Sequence, residues 1–586
     1  MQCLLVGSHH TALTHYFSLM RRRCPKVFPS SSVHTKWPLK PAQSSLNREK
    51  VKYTGYRENI NAIISCSRTF TCALSTLSPL HERRLHSPSS PSSNGRPTAQ
   101  VTPITTSVNL TPLIPTQVLS SIQNFPEVTA VLAYIHKSIP TMNKSCSLQM
   151  SQGLDRTLEV FASLDMKEEM RAVKMLQINL DVENCDYSDA FKKLDEILSE
   201  MQVNELRLLE DYTTMELRLA QSKVLWLQGN FSKSLCVLNE LLIDNDVAIN
   251  SETRVGKMLL ASIWNAKAVL LLVLGDQSRT MAEEASRTSC LLLNAELEQE
   301  GGQMSSQIIP LKLMTAVSYM NLGLMEWVIS PNSKHGKADM TSWETSLELI
   351  EDYKSQEESK DRKNVTTCEL PDCIHAHILC IMTHAILFQK TSKSSYQLLE
   401  SDLQLASEYS GKALSLYDSL AAKYKNTCAG DEDASGAIPV QLKRNIGRAL
   451  SLVASCYARA GSQVTAEGLF KSALDSLLVG PSLPRSQIRN HHEEILRRTS
   501  RDDLDPITRL HARMCFLEFA RLCQNWERRE SDARQYERLA EKLTRDFPGD
   551  WGSSGVITDD AIGFNSRVEL INGGAAWFFS VNDFKY

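Results

Sequence analysis

The feature that most constrains the fold is a helical pattern that runs from about residue 127 to 545. Leu, Ala, Glu, Lys and Met dominate this stretch, and the strict alternation of apolar and polar residues that marks a half-buried strand does not occur in it. Of the 21 prolines, only eight follow residue 142. Because proline interrupts helices, the body of the chain is predicted to be all-α.

At 586 residues the chain is too long for one compact core, so either three or four domains or one long array is expected. One unit of the helical stretch, 450–481, shows how an array would be built. Small residues let two antiparallel helices approach closely, and aromatic residues fill the space beside them. These residues are Leu450, Val453, Ala454 and Tyr457 on a first helix, Gly461 at the turn, Ala466, Phe470 and Ala473 on a second helix, and Pro481 at its end.

A second unit, 219–246, follows the same order, with Trp226 on the first helix, Gly229 at the turn and Phe231 at the start of the second helix. The order of aromatic, small and turn residues in both units resembles the tetratricopeptide repeat. This resemblance implies a right-handed superhelix with a concave groove that binds peptides or partner proteins. Asn321 matches one position of the family's clamp for a C-terminal carboxylate, but the other clamp residues do not occur in consecutive units.

Five partial units extend the series. Their marker residues are Tyr187 and Ala190, Trp264, Gly323, Ala406 and Ala413, and Ala533 and Ala540. Adjacent second helices are 44 to 67 residues apart, which is wider than the 34 residues of a strict repeat. The predicted fold is therefore an all-α, right-handed α-solenoid of about seven irregular hairpins within residues 127–545.

The two ends of the chain differ from this body. Residues 1–128 carry 14 Lys and Arg against 4 Asp and Glu, whereas residues 129–586 carry 50 against 63. Residues 1–125 are rich in Ser and Pro, which predicts a disordered basic leader. Residues 1–48 contain no Asp or Glu and are typical of a transit peptide. The alternatives are a basic tail, or a true start of the protein at Met142 or Met150. Residues 546–586 form a tail rich in Gly and aromatic residues, to which we assign no function.

Two patterns resemble parts of a metal site, and both lack ligands. Residues 431–438 resemble the start of a calcium loop, but Leu442 stands where a bidentate Glu is needed. A second pattern consists of Cys and His residues that form one stripe on a single helix. One straight helix offers only about two ligands to a tetrahedral zinc ion. We therefore predict a helix–helix seam, and no metal site, for its residues Cys373, His377, Cys380 and His384.

No phosphate loop, nucleophile elbow or kinase signature occurs, so neither an enzyme nor a cofactor is predicted. The function expected from the resemblance is a non-catalytic scaffold, or a subunit of a complex, that binds an unidentified protein partner. One alternative is an organellar RNA-associated protein, because 455–461 also resembles a pentatricopeptide repeat. Another is a fragment of the helical array that precedes the kinase domain in the phosphatidylinositol-kinase-like family.

Composition bears on location and on partners. The 15 cysteines include several in apolar helical segments, which is typical of a reducing, intracellular compartment. The expected location is cytoplasmic, or mitochondrial or plastid if the leader is a transit peptide. Nucleic acid is not the expected partner of an acidic body. No membrane span is predicted, because the longest apolar run, Ala268–Leu274, is far shorter than the roughly 20 residues that a spanning helix needs.

Overall fold

The computed structural model describes residues 108–137, 144–184, 186–204, 212–246, 253–274, 278–299, 308–329, 340–359, 370–388, 398–427, 440–478, 504 and 506–545. In these ranges the chain forms one short 3₁₀ helix, Thr111–Leu113, and 17 α-helices, with no strand. The all-α prediction is confirmed for this part of the chain.

The α-helices are numbered in chain order. They are α1 (Thr116–Ile122), α2 (Pro126–Lys137), α3 (Lys144–Ser163), α4 (Lys167–Glu183), α5 (Tyr187–Asn204), α6 (Tyr212–Leu227), α7 (Phe231–Asp246), α8 (Arg254–Leu274), α9 (Arg279–Gln299), α10 (Ile308–Ile329), α11 (Thr341–Ser359), α12 (Leu370–Leu387), α13 (Glu400–Thr427), α14 (Val440–Arg459), α15 (Gln463–Leu477), α16 (Pro506–Gln524) and α17 (Glu530–Arg545).

Helices that follow one another in sequence pack together, and from α4 onward they form seven pairs, α4–α5 to α16–α17. We call α4, α6, α8, α10, α12, α14 and α16 the first helices and their partners the second helices. From α6 to α16, each first helix also packs against the next first helix. The pairs coincide with the seven hairpins predicted from the sequence.

Two glycines make the turns inside the two clearest units. Gly229 between α6 and α7 has a φ of +77°, and Gly461 between α14 and α15 has a φ of +79°. The residue after each glycine donates its backbone N–H to a carbonyl five residues earlier, from Asn230 to Leu225 and from Ser462 to Tyr457, at 2.9 Å in both cases. This geometry caps the last turn of a helix, and glycine adopts it without the steric cost of a Cβ.

The α10–α11 pair shows how small residues bring two helices together. Trp343 of α11 is completely buried and donates from Nε1 to the carbonyl of Met320, at 3.0 Å. A Cβ on Gly323 would lie 2.5 Å from the same Nε1. The indole therefore occupies the space that a side chain at position 323 would need.

Residues 108–125 are folded, although the sequence places them in the leader that ends at residue 125. The backbone N–H of Leu110 donates to Oδ1 of Asn179 at 3.0 Å, and α1 packs on α4 with Ile122 completely buried. The leader prediction therefore extends too far by residues 108–125, whose apolar side chains are spaced widely in sequence but converge on α4. Residues 1–107 and the tail, 546–586, lie outside the described residues.

Two helices, α8 and α12, are long and apolar enough to cross a membrane by length and composition alone. Of their most apolar windows, 72% and 94% respectively is buried inside the protein. A helix that is apolar all round is expected at the centre of a large helical body as well as in a membrane. In this structure both serve as core helices between neighbouring first and second helices.

Candidate functional site

The residues predicted to pack the repeat fall into two groups. Most are buried: Tyr187, Ala190, Trp226, Gly229, Phe231, Gly323, Ala406, Ala413, Ala466, Phe470, Ala473, Ala533 and Ala540. Trp264 and Tyr457 are only half-buried, and Gly461 is exposed at its turn. Trp264 carries the Lys267 ammonium 5.0 Å from its ring centroid, so it lies at the edge of the core.

The first helices combine apolar surroundings with buried polar side chains. Every described residue of α12 except Asp372 is buried. Burying a polar group is costly unless it finds a partner, so polar residues at such positions deserve an explanation. Those less than a tenth exposed on the first helices α8 to α16 include Ser262, Asn265, Thr315, Ser318, Asn321, His375, His377, Thr383, His384, Arg444, Asn445, Arg448, Ser455, Thr508, His511, Arg513 and Glu518.

On α8 and α10 the polar groups are neutral and bond to each other. Nδ2 of Asn321 donates to Oδ1 of Asn265 at 2.8 Å, and both side chains are completely buried. These asparagines are 56 residues apart, at corresponding places in consecutive pairs. The position that suggested a carboxylate clamp thus links two first helices, and it is closed to solvent.

A group of basic side chains occupies the first helices nearer the C-terminus. We call His377 and His384 of α12, Arg444 and Arg448 of α14, and His511 of α16 the basic cluster; each is less than a tenth exposed. Nη1 of Arg448 lies 3.1 Å from Nδ1 of His377. Since arginine stays protonated, this contact requires a neutral His377 whose Nδ1 accepts the hydrogen bond.

The electrostatic field of this group is strongly positive. Burial is the largest cause that lowers the pKa of His511 well below its ordinary value, and the charges of Arg448 and Arg444 lower it further. His511 is therefore neutral at pH 7. The guanidinium groups of Arg444 and Arg448 keep their positive charge at neutral pH.

Arg448 has a buried donor group without an acceptor and no ion pair among the described residues. Its side chain is 6% exposed, and its Nη2 has no hydrogen-bond acceptor among the residues that the structure describes. Within the same residues it forms no ion pair with a carboxylate. A buried guanidinium in this state carries the full cost of desolvation.

About three turns further along α14, a second buried arginine, Arg459, is neutralised by a carboxylate of the chain itself. The carboxylate of Glu518 on α16 accepts from Arg459 at 3.0 Å and also pairs with Arg521. Burial alone would raise the pKa of Glu518, but the two arginines outweigh this effect and lower it. This buried anion holds α14 and α16 together.

Aromatic rings close the side of the cluster that faces α10. The His384 ring stacks on Phe388 at a centroid distance of 4.2 Å and meets Trp327 of α10 edge-on at 6.1 Å. The guanidinium of Arg459 lies 5.2 Å from the centre of the Phe388 ring. The cluster is thus bounded by apolar groups and by the Glu518 ion pairs.

Burial keeps two thiols on α12 and α16 protonated. Burial raises the pKa of Cys380 to about 11 and that of Cys515 to about 12. A protonated thiol is neither a good nucleophile nor a metal ligand. Within the described ranges, no three His, Cys, Asp or Glu side chains converge to hold a metal ion, and the stripe from Cys373 to His384 lies in helix–helix contacts.

Sequence reasoning found only part of this site. The helical spacing predicts that His377 and His384 share one face of a helix, but it does not indicate that Arg444, Arg448 and His511 pack beside them. A signal exists in retrospect, because Asn265, Asn321 and His377 follow one another at intervals of 56 residues in otherwise apolar helices. The calcium-loop pattern at 431–438 lies outside the described residues.

No protein-family model matches the chain, and no curated protein is significantly similar to it. The tetratricopeptide-like pattern therefore remains a resemblance between residue positions.

Proposed function

We propose that the protein is a non-catalytic scaffold that binds a protein partner through a right-handed solenoid of tetratricopeptide-like hairpins. The observation that carries this proposal is the series of seven helix pairs whose first helices, from α6 to α16, pack side by side. Stacked pairs of this kind bury a continuous core between neighbours and leave long surfaces for binding.

The same packing suggests which helices would meet the partner. In the family that the chain resembles, first helices line the groove, but here the side chains of α12 are buried almost without exception. Large apolar side chains are exposed on second helices instead, with Ile243 of α7 66% exposed and Leu291 of α9 69% exposed. We therefore place the partner's contacts on the second helices and the helix ends.

Affinity purification of the full chain with quantitative mass spectrometry tests this proposal. A protein recovered at a constant stoichiometric ratio to the chain is the expected result. The variant Ile243→Asp combined with Leu291→Asp should lower its recovery at least tenfold. Val160→Asp serves as the matched control, because Val160 is 43% exposed on α3, which lies outside the seven pairs. A chain that returns without any stoichiometric partner under several extraction conditions contradicts the scaffold.

The structure gives the RNA-associated alternative no added weight. The five side chains of the basic cluster are each less than a tenth exposed, so they cannot follow a phosphate backbone along the surface.

A further inference from the structure

We propose that the basic cluster between α12, α14 and α16 binds a small free oxyanion of the phosphate class, held by the guanidinium of Arg448. This site is independent of the scaffold function, because it lies on buried first helices and not on the exposed second helices.

The first argument is charge. Arg448 carries a permanent positive charge at 6% exposure, and its contact among the described residues is a neutral imidazole. Its neighbour Arg459, also buried, meets the carboxylate of Glu518 at 3.0 Å. The chain thus neutralises Arg459 with its own carboxylate, whereas no described carboxylate pairs with Arg448.

The second argument is geometry. Arginine presents a planar fork of donors that matches two oxygens of a phosphate or carboxylate group. Nη1 of Arg448 is engaged by His377, while Nη2 is buried and lacks an acceptor. An oxyanion beside Nη2 would be the hydrogen-bond acceptor that the guanidinium lacks, and it would lie in the positive field that also keeps His511 neutral.

The third argument is the burial of the cluster, which favours a free anion over a phosphate group attached to a partner protein. Every member of the cluster is less than a tenth exposed, and rings of Trp327 and Phe388 pack against His384. A phosphate group attached to a folded partner would need a wide opening, whereas a free ion needs only brief local opening of the helices. The proposal is therefore limited to a small free anion.

The test measures thermal unfolding of the full chain in sodium phosphate and in sodium chloride at equal ionic strength, pH 7.5. Phosphate is expected to raise the unfolding midpoint by roughly 2–4 °C over chloride. Arg448→Met, which keeps most of the side-chain volume, should abolish this difference. Arg534→Met is the matched control, because Arg534 on α17 has a side chain 73% exposed and should leave the difference unchanged.

Isothermal titration of the unliganded chain with inorganic phosphate gives an independent readout. Saturable binding with one site per chain, weakened at least tenfold in Arg448→Met and in Arg448→Lys, supports the site. The lysine variant keeps the charge without the fork, so it also serves if the methionine variant does not fold. Phosphate that acts no differently from chloride, or an effect that survives both variants, overturns the proposal.

Discussion

Buried polar side chains link the first helices in the middle pairs and in the C-terminal pairs, but the two links differ in charge. On α8 and α10 the buried polar groups are two asparagines that bond to each other at 2.8 Å. On α12 and α14 the corresponding link joins His377 to the charged Arg448 at 3.1 Å. The amide pair is neutral, whereas the imidazole–guanidinium pair retains a full positive charge in the core.

Stability alone explains the neutral pair, but it does not explain a charged side chain in the core. A buried neutral pair costs little once its hydrogen bonds are made. A buried charge remains costly even with one hydrogen bond, and an apolar side chain of similar volume is often more stabilising. Asn321 can therefore be understood as a structural residue, while Arg448 suggests a ligand.

The largest expected effect is the loss of the anion that compensates the neighbouring arginine. Glu518→Gln removes the carboxylate from Arg459, whose side chain is 3% exposed, and from Arg521. Breaking a buried ion pair from one side costs about 3–5 kcal/mol, because the remaining charge stays buried. Urea unfolding followed by circular dichroism measures this loss in free energy of unfolding.

The contrast with Arg448 sharpens the result. In chloride buffer, Arg448→Met should leave the free energy of unfolding unchanged or raise it by about 1 kcal/mol, since it removes a charge that no described carboxylate balances. A loss above about 2 kcal/mol in Arg448→Met would show that the guanidinium is already compensated inside the chain.

Sequence reasoning reached the helix pairs but missed the chemistry of their contacts. Within a second helix, small and aromatic residues such as Ala466 and Phe470 keep a helical spacing because they fill the gap beside the first helix. In sequence, His377 lies 71 residues and His511 lies 63 residues from Arg448. The helices that carry them are joined by connections of variable length. No local pattern encodes such distances, so the cluster appears only when the pairs are stacked.

The second prediction concerns close packing in a middle pair. Gly323→Ala would place a Cβ 2.5 Å from Nε1 of Trp343, so the indole must shift and its hydrogen bond to Met320 is strained. We expect a loss of about 1–3 kcal/mol despite the better helix propensity of alanine. Urea unfolding, with tryptophan fluorescence as the second signal, measures it.

A matched control exists on α15. A Cβ at Gly468 would meet nothing within 4 Å, so Gly468→Ala should stabilise the protein by about 0.5–1 kcal/mol. If both substitutions stabilise the chain, the close contact between α10 and α11 does not exist in solution.

The third prediction addresses the neutral link directly. Asn321→Leu keeps the volume but removes the donor to Asn265, and we expect a loss of about 1–2 kcal/mol. A double-mutant cycle with Asn265→Leu should give a coupling energy of about 0.5–1 kcal/mol. Additive losses within experimental error would mean that the two asparagines act independently.

The effects of pH on stability have opposite signs in two regions. Burial, followed by the charges of Lys354 and Lys412, lowers the pKa of His375 on α12 to about 3, and Asp372 only partly opposes this. Below pH 6.5 the unfolded chain therefore binds more protons at this residue than the folded chain. The contribution of neutral His375 to the free energy of unfolding is complete above pH 6.5 and is lost as the pH falls towards 3.

Asp181 of α4 behaves in the opposite way. Burial raises the pKa of its carboxyl to about 6, although Lys193 at 2.6 Å acts to lower it. The folded chain then binds more protons than the unfolded chain between pH 3.8 and 6, so this contribution is lost as the pH rises through 6.

Between pH 7 and 5, His375→Gln should reduce the loss of stability on acidification, and Asp181→Asn should increase it. Hydrogen exchange at both pH values, compared between α4 and α12, measures the two effects, and equal slopes in both variants would contradict the assignment.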